Sequence, residues 1–141
     1  MDAKTEYSSS VEQQKIASLS DEELANAISA GAARKRKYGH EWQEADINDV
    51  FQKFGILAST KEYRNGKIIF YDETRSIAIV TDVGGGYFRI EDKTVSARRP
   101  HYLDINGNDP HEVMINGKMH TRTHDELMSA THFIIKKKET K

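Results

Sequence analysis

The spacing of apolar residues changes once along this chain, near Gly55, and this change constrains the fold more than any other sequence feature. Before Gly55, apolar residues recur every three or four positions, which is typical of amphipathic helices. After it, apolar and polar residues alternate in short runs separated by glycine- and asparagine-rich turns, which is typical of strands. The sequence therefore predicts an α+β fold in which N-terminal helices precede a twisted antiparallel β-sheet.

The first part of the chain carries recognisable helix boundaries. Ser20 followed by Glu23 forms a capping box, which predicts that a helix starts there. A further short helix is predicted from about Asp46, with Gly55 as its stop, because glycine readily adopts the left-handed conformation of a helix terminus. Residues 11–19 are interpreted as one more short helix.

Turn signals divide the second part of the chain into strands. Asn65-Gly66 is the pair that type I′ hairpins prefer, so it predicts a hairpin. Residues 84–86 are three glycines that lack the Gly-Lys-Ser/Thr of a phosphate loop, so a hairpin turn is favoured over a phosphate cradle. Thr123 and Glu126 are expected to cap one helical turn, and residues 131–137 to form the final strand.

These patterns predict three segments in the chain of 141 residues. They are a disordered tail at 1–10, a helical accessory segment at 11–55 and an antiparallel-sheet core at 56–141. The chain contains no cysteine, which excludes disulfides, thiol nucleophiles and cysteine-ligated zinc. No run of about 18 apolar residues is present, so no membrane-spanning segment is expected.

The formal net charge of −1 argues at first against binding to nucleic acid. Residues 1–60 carry 7 basic and 10 acidic side chains, whereas residues 61–141 carry 14 and 12, so the second part is net positive. The first part also contains a run of four positive charges, Arg34, Lys35, Arg36 and Lys37. This run is interpreted either as a favourable partner of a helix C-terminus or as a phosphate-contacting patch.

Two groups of histidines are candidates for chemistry. His120, Arg122 and His124 would share one face of a strand, where they suit acid–base work and anion contact; a metal site and plain solvated side chains are the alternatives. His132 enters an apolar terminal run directly after Thr131, which suits either a core histidine or an active-site group at a sheet edge.

If His132 is an active-site residue, it suits metal-free cleavage of RNA, in which the 2′-hydroxyl of the RNA is the nucleophile. That reaction needs a base, an acid and cations around the phosphate, and histidine and arginine supply these groups. Arg98, Arg99 and His101 are candidates for the second half of such a site. Tyr87 and Tyr102 offer stacking surfaces for unpaired bases.

A set of short motifs resembles the C-terminal toxin domains of bacterial contact-dependent growth-inhibition and related polymorphic toxin systems. The motifs lie at residues 86–92, 99–107, 116–118, 122 and 130–133. The order of elements is also similar to the microbial ribonuclease group of barnase, EndoU, colicin and RelE toxins. The resemblance implies a tRNA endonuclease that needs no metal or cofactor.

The resemblance also implies roles for individual residues. His132 would be the general acid or base, Thr131 would orient it or contact phosphate, and Arg122 would be the leading transition-state cation. Arg99 would contact phosphate, and Tyr102 would be a base platform or proton donor. Glu91 is a possible glutamate base. The candidate substrate contacts are Arg89, Arg98, Tyr87, His120, His124, Arg34, Lys35, Arg36 and Lys37.

The same resemblance implies partners and a place of action. The partners would be tRNA, a dedicated immunity protein and, for some toxins of this kind, elongation factor Tu. The domain would be exported as the C-terminal part of a large bacterial surface toxin and would act in the cytoplasm of the target bacterium. The alternatives are a non-enzymatic RNA- or protein-binding module, such as an immunity or adaptor protein, and a metal-dependent nuclease that uses His120 and His124.

Overall fold

The computed structural model describes residues 15–38, 41–95 and 98–137, and the predicted tail lies outside these residues. The helices are α1 (Asp21–Tyr38), α2 (Ile47–Phe54) and α3 (His124–Thr131), with a 3₁₀ turn at Ala58–Thr60. The strands are β1 (Gln43–Asp46), β2 (Glu62–Arg64), β3 (Lys67–Tyr71), β4 (Ile77–Asp82), β5 (Tyr87–Asp92), β6 (His101–Leu103), β7 (Glu112–Ile115), β8 (Lys118–Thr121) and β9 (Phe133–Lys136). The chain therefore has an α+β fold, with a helix ahead of a mixed sheet.

Capping side chains and a glycine set the ends of helices α1 and α2. The backbone N–H of Ser20 donates to a carboxylate oxygen of Glu23, and the N–H of Glu23 donates to the hydroxyl of Ser20, so the predicted capping box is confirmed. Helix α2 is capped by the Asp46 carboxylate and ends at Gly55, whose φ of 63° is left-handed. None of the described helices is long and apolar enough to cross a membrane.

Seven strands form the main sheet in the order β1-β9-β5-β4-β3-β2, with β6 also paired to β5. The Asn65-Gly66 hairpin joins β2 and β3 as predicted. The expectation of an entirely antiparallel sheet is wrong, because β1 pairs with β9 in parallel. Strand β1 lies inside the segment that was expected to be helical, and its four residues, three of them polar, carry no clear strand pattern.

Two further expectations are corrected at the segment ends. Residues 15–19 do not form a helix: the N–H of Ala17 donates to the carbonyl of Ile56, and Ile16 forms a β-bridge with Leu57. Residues 11–14 of that predicted helix lie outside the described part of the chain. The last strand starts at Phe133 rather than at Thr131, because the capping box at Thr123 starts a helix that continues through Thr131.

The hydrophobic core lies where helices α1 and α2 pack against the main sheet. Phe51 of α2 packs against Phe70 of β3 with ring centroids 4.8 Å apart, and Phe88 of β5 packs against Phe133 of β9 at 5.3 Å. Ala17, Leu19 and Ala27 belong to the same core. Side chains from the predicted accessory segment and from the predicted sheet core are therefore buried together.

The three glycines at 84–86 form the turn between β4 and β5, as predicted. Gly86 has a φ of 74°, and a Cβ built there would lie 2.2 Å from the backbone nitrogen of Gly31. No side chain fits in that space, so helix α1 lies directly against the turn. The contact fixes the start of β5 beside the middle of α1.

Candidate functional site

Strand β5 divides its side chains between two faces, as the period of two requires. Phe88 and Ile90 are fully buried in the core. Tyr87, Arg89 and Glu91 lie on the opposite face, which is called the polar face of β5 below. Three of the residues that sequence analysis selected are thereby placed in a row.

His132 lies beside this face, in the extended connection between α3 and β9. Its ring stacks on the indole of Trp42 with centroids 4.4 Å apart and an interplanar angle of 19°. The ring of Tyr87 lies 5.3 Å from it on another side. Only 9% of the surface of His132 is exposed, so aromatic rings enclose most of the imidazole.

The protonation state of His132 follows from these surroundings. Burial lowers the pKa of His132 to about 4, and the positive charges of Arg89, Lys67 and Arg34 act in the same direction. Nδ1 lies 2.7 Å from the carbonyl oxygen of Met128, which can only accept a hydrogen bond. Nδ1 therefore carries the proton, and the lone pair lies on Nε2 at neutral pH.

Arg89 connects the polar face of β5 to α3 and β6. Its Nη2 donates to the hydroxyl of Thr131 over 3.1 Å, and its guanidinium lies 3.4 Å from the ring centroid of Tyr102. The Nε of Arg89 is buried and has no hydrogen-bond partner among the described residues. A positive group is thus fixed near His132 by its contacts with Thr131 and Tyr102.

Thr131 is positioned by α3 and links that helix to Arg89. Its hydroxyl donates to the carbonyl of Leu127 over 2.9 Å and accepts from Arg89. The residue is almost completely buried. Its contact with Arg89 orients the guanidinium, whereas no contact between the hydroxyl and the imidazole of His132 is present.

The basic run at the end of α1 separates into different roles. Arg34 turns toward the site: its Nε donates to the carbonyl of Gly85 over 3.2 Å, and its guanidinium lies 5.6 Å from the Tyr87 ring. Lys35 forms an ion pair with Glu44. Arg36 and Lys37 are exposed on the helix surface.

A cavity of about 510 Å³ opens next to Arg89, between β6, α3 and the loop 109–111. It is called the histidine-lined cavity because three imidazoles line it. Its lining includes the predicted residues Arg99, His101, Tyr102 and His124, together with His111, which was not predicted. Arg98 is exposed outside it.

The predicted common face of His120, Arg122 and His124 is wrong. His120 lies on β8, Arg122 follows the strand, and His124 is the first residue of α3, because the capping box at Thr123 ends the extended segment. His120 lies 3.5 Å from a carboxylate oxygen of Glu126. Within the described ranges, no group of three His, Cys, Asp or Glu residues is arranged to hold a metal ion.

The guanidinium of Arg122 supports the loop behind the cavity. Its Nη1 donates to the carbonyl of Pro110 over 2.6 Å, and its backbone N–H donates to the carbonyl of His111 over 2.8 Å. Pro110 is fully buried. The arginine that lies with Thr131 and Tyr102 is Arg89 rather than Arg122.

Sequence reasoning missed Trp42, although it is the only tryptophan in the chain. It lies just before β1, a strand that the sequence did not reveal, and it meets His132 only because β1 pairs with β9. Asp109 was missed for a similar reason, since its contacts with His101 and His111 depend on a loop.

No protein-family model, curated protein or solved structure matches this chain.

Proposed function

We propose that this chain is a ribonuclease domain that cleaves tRNA by metal-independent acid–base chemistry. The observation that carries the proposal is a neutral imidazole, His132, held near the guanidinium of Arg89, which Thr131 and Tyr102 fix in place. A base and a phosphate-binding cation in this arrangement are what attack by a 2′-hydroxyl requires. Tyr87 and Tyr102 add aromatic surfaces for unpaired bases.

In the proposed reaction, Nε2 of His132 takes the proton of the 2′-hydroxyl, and the 2′-oxygen forms a bond to the adjacent phosphorus. The bond from phosphorus to the 5′-oxygen breaks, and the phenol of Tyr102 donates a proton to that oxygen. The products are a 2′,3′-cyclic phosphate and a 5′-hydroxyl end. Solvent then carries the proton of His132 back to the Tyr102 phenolate.

Arg89 has two effects in this mechanism. Its guanidinium stabilises the negative charge that develops on the phosphate oxygens during attack. Its charge also contributes to the low pKa of His132. A bound phosphate neutralises part of the surrounding positive charge, which raises the pKa of His132 and makes the imidazole a stronger base in the complex.

The biological setting is proposed from the residue pattern alone. The order of a helix, a sheet and a late histidine supports a fold of the microbial ribonuclease type and the role of an antibacterial toxin domain. Such a domain would be exported on a large surface protein, act in the cytoplasm of a target bacterium, and be neutralised by an immunity protein. Elongation factor Tu would assist in presenting tRNA.

The direct test is cleavage of purified tRNA by the purified protein in EDTA. We expect cleavage that leaves 2′,3′-cyclic phosphate ends, and we expect His132→Ala to abolish it while circular dichroism shows an unchanged fold. His120→Ala is the matched control: His120 was a candidate substrate contact, but it is exposed on β8, lies beside Glu126 and does not line the cavity next to Arg89. A folded His132→Ala protein with full activity would disprove the site, and activity lost only in EDTA would indicate a metal-dependent nuclease.

A non-enzymatic binding module is the second candidate, and one observation favours it. His132 is 9% exposed and stacked beneath Trp42, as a structural core histidine would be. Expression in a bacterium distinguishes the two functions: a nuclease toxin arrests growth unless an immunity protein is co-expressed, whereas a binding module does not. Sequencing of RNA ends after brief expression identifies the tRNA and the bond that are cut.

A further inference from the structure

The histidine-lined cavity exists because strand β5 changes partner along one edge. Tyr87 and Phe88 pair with β9, whereas residues 90–92 pair with β6. Strand β4 occupies the other edge throughout. Arg89 lies at the point where β9 and β6 diverge, so its guanidinium stands where the cavity opens.

One wall of the cavity is a pair of stacked imidazoles. The rings of His101 and His111 lie 5.7 Å apart with an interplanar angle of 16°. Asp109 is bonded to Nδ1 of His111 over 2.6 Å and lies 3.8 Å from Nε2 of His101. The Asp109 carboxylate therefore orients the ring of His111 by a hydrogen bond and lies close to the ring of His101.

The loop that carries this wall is anchored from behind. Pro110 is buried, and its carbonyl accepts a hydrogen bond from the guanidinium of Arg122. On the opposite side, Leu127 and Met128 of α3 supply apolar surface. The cavity is thus bounded by an anchored loop on one side and by a helix on the other.

The chemistry of the walls selects a class of ligand. Imidazole and phenol rings with apolar side chains between them suit a planar aromatic group. Arg89 and Arg99 at the edge suit an anion that is attached to that group. The volume of about 510 Å³ lies in the usual range for small-ligand sites.

We infer that the histidine-lined cavity binds the base of one nucleotide of the RNA, with the phosphate of that nucleotide directed to Arg89. The inference rests on the proposed function in naming RNA as the source of the nucleotide. The site is a base-binding pocket next to the bond that is cut, and it discriminates between nucleotides by the fit of one base. Arg122 is then a positioning residue, because it supports the loop that carries His111.

The test uses 3′-mononucleotides, which cannot be cleaved, so binding is measured independently of catalysis. We expect the four 3′-nucleotides to differ in affinity, and the best of them to bind about 5- to 100-fold more tightly than inorganic phosphate, the contribution of one stacked base. Leu127→Trp fills the cavity and should remove this advantage while leaving phosphate binding unchanged. His124→Ala should reduce the advantage as a second, smaller change.

His120→Ala is the control, because it removes an exposed histidine outside the cavity. The inference is overturned if the nucleotides bind no more tightly than phosphate, or if folded Leu127→Trp and His124→Ala both bind as His120→Ala does. Nucleotide binding without tRNA cleavage would support the pocket as a site for free nucleotides and would contradict the proposed ribonuclease function. Cleavage without nucleotide binding would retain the ribonuclease and reject the pocket.

Discussion

His132 and the pair of His101 and His111 occupy opposite electrostatic surroundings, although they line neighbouring parts of one site. His132 is enclosed by aromatic rings and faces Arg89, Lys67 and Arg34. His101 and His111 instead share the carboxylate of Asp109.

The difference teaches how one residue type serves two purposes. Burial and cations keep the His132 imidazole neutral at pH 7, so its free lone pair can accept a proton. Hydrogen bonds from the backbone and the ring of His111 lower the pKa of Asp109, so an ionised carboxylate stays between the other two rings. The first histidine is suited to proton transfer, and the other two are suited to forming a wall.

The largest effect should be the pH dependence of stability that His132 causes. The folded protein holds the pKa of His132 at about 4, below its usual 6.5, so the unfolded chain takes up a proton that the folded chain does not. This contribution is complete above pH 6.5 and is lost as the pH falls toward 4, by about 3 kcal/mol. Urea unfolding at several pH values should show that His132→Gln removes this fall.

His111→Gln is the matched control and should keep the fall, because His132 is unchanged in it. An equal decline in the free energy of unfolding for the wild-type protein and folded His132→Gln would show that His132 is not the group responsible.

Arg89→Lys should lower kcat/KM for tRNA by about 10²-fold, since lysine supplies a charge without the planar fork that holds phosphate oxygens. Arg75→Lys is a close control: Arg75 also stacks on a tyrosine, 3.8 Å from the ring of Tyr71, but in the turn between β3 and β4. Equal cleavage rates for the two variants would remove Arg89 from the reaction.

Arg122→Ala should lower the free energy of unfolding by about 1–3 kcal/mol, because it leaves the buried carbonyl of Pro110 without its charged donor. Urea unfolding measures the change, and Arg98→Ala, at an exposed arginine, should show little of it. An activity loss of about 10²-fold, with stability and 3′-nucleotide affinity both unchanged, would instead restore Arg122 as a transition-state cation.

Trp42→Ala should have the smallest effect, a rise of about one unit in the pKa of His132, because water reaches the imidazole once the indole is removed. NMR titration of the His132 ring measures it, and the low-pH limb of the tRNA cleavage profile should move upward by the same amount. Tyr63→Ala, at an aromatic residue 72% exposed, should leave both unchanged. A Trp42→Ala protein with the wild-type titration would mean that the indole does not desolvate His132.

Local signals predicted much of the secondary structure. The capping boxes at Ser20 and Thr123 and the Asn65-Gly66 hairpin lie where the sequence placed them, because each depends on residues within a few positions of one another. Strand β1 was not predicted, since its four residues are mostly polar and it is stabilised by β9, about ninety positions later in the chain.

The residue types of the candidate site were predictable from the sequence, but the contacts between them were not. His132, Thr131, Arg89 and Tyr102 were selected from the sequence, and the structure brings Thr131, Arg89 and Tyr102 into direct contact. Trp42 and Asp109 were not selected. Arg122 was selected as the transition-state cation, whereas its guanidinium donates to the carbonyl of Pro110. A sequence shows which groups exist but not which carbonyl lies beside them.

The α+β class, the helix caps, the tight turns and the supply of histidine, arginine and tyrosine all follow from the order of residues along the chain. Tertiary structure decided that β1 joins the sheet in parallel, that Trp42 covers His132, and that β9 and β6 diverge at Arg89. The physical reason is the range of the interactions. Capping and turn formation act over three or four residues, whereas burial and charge proximity, which set the protonation state of His132, depend on groups from every part of the chain.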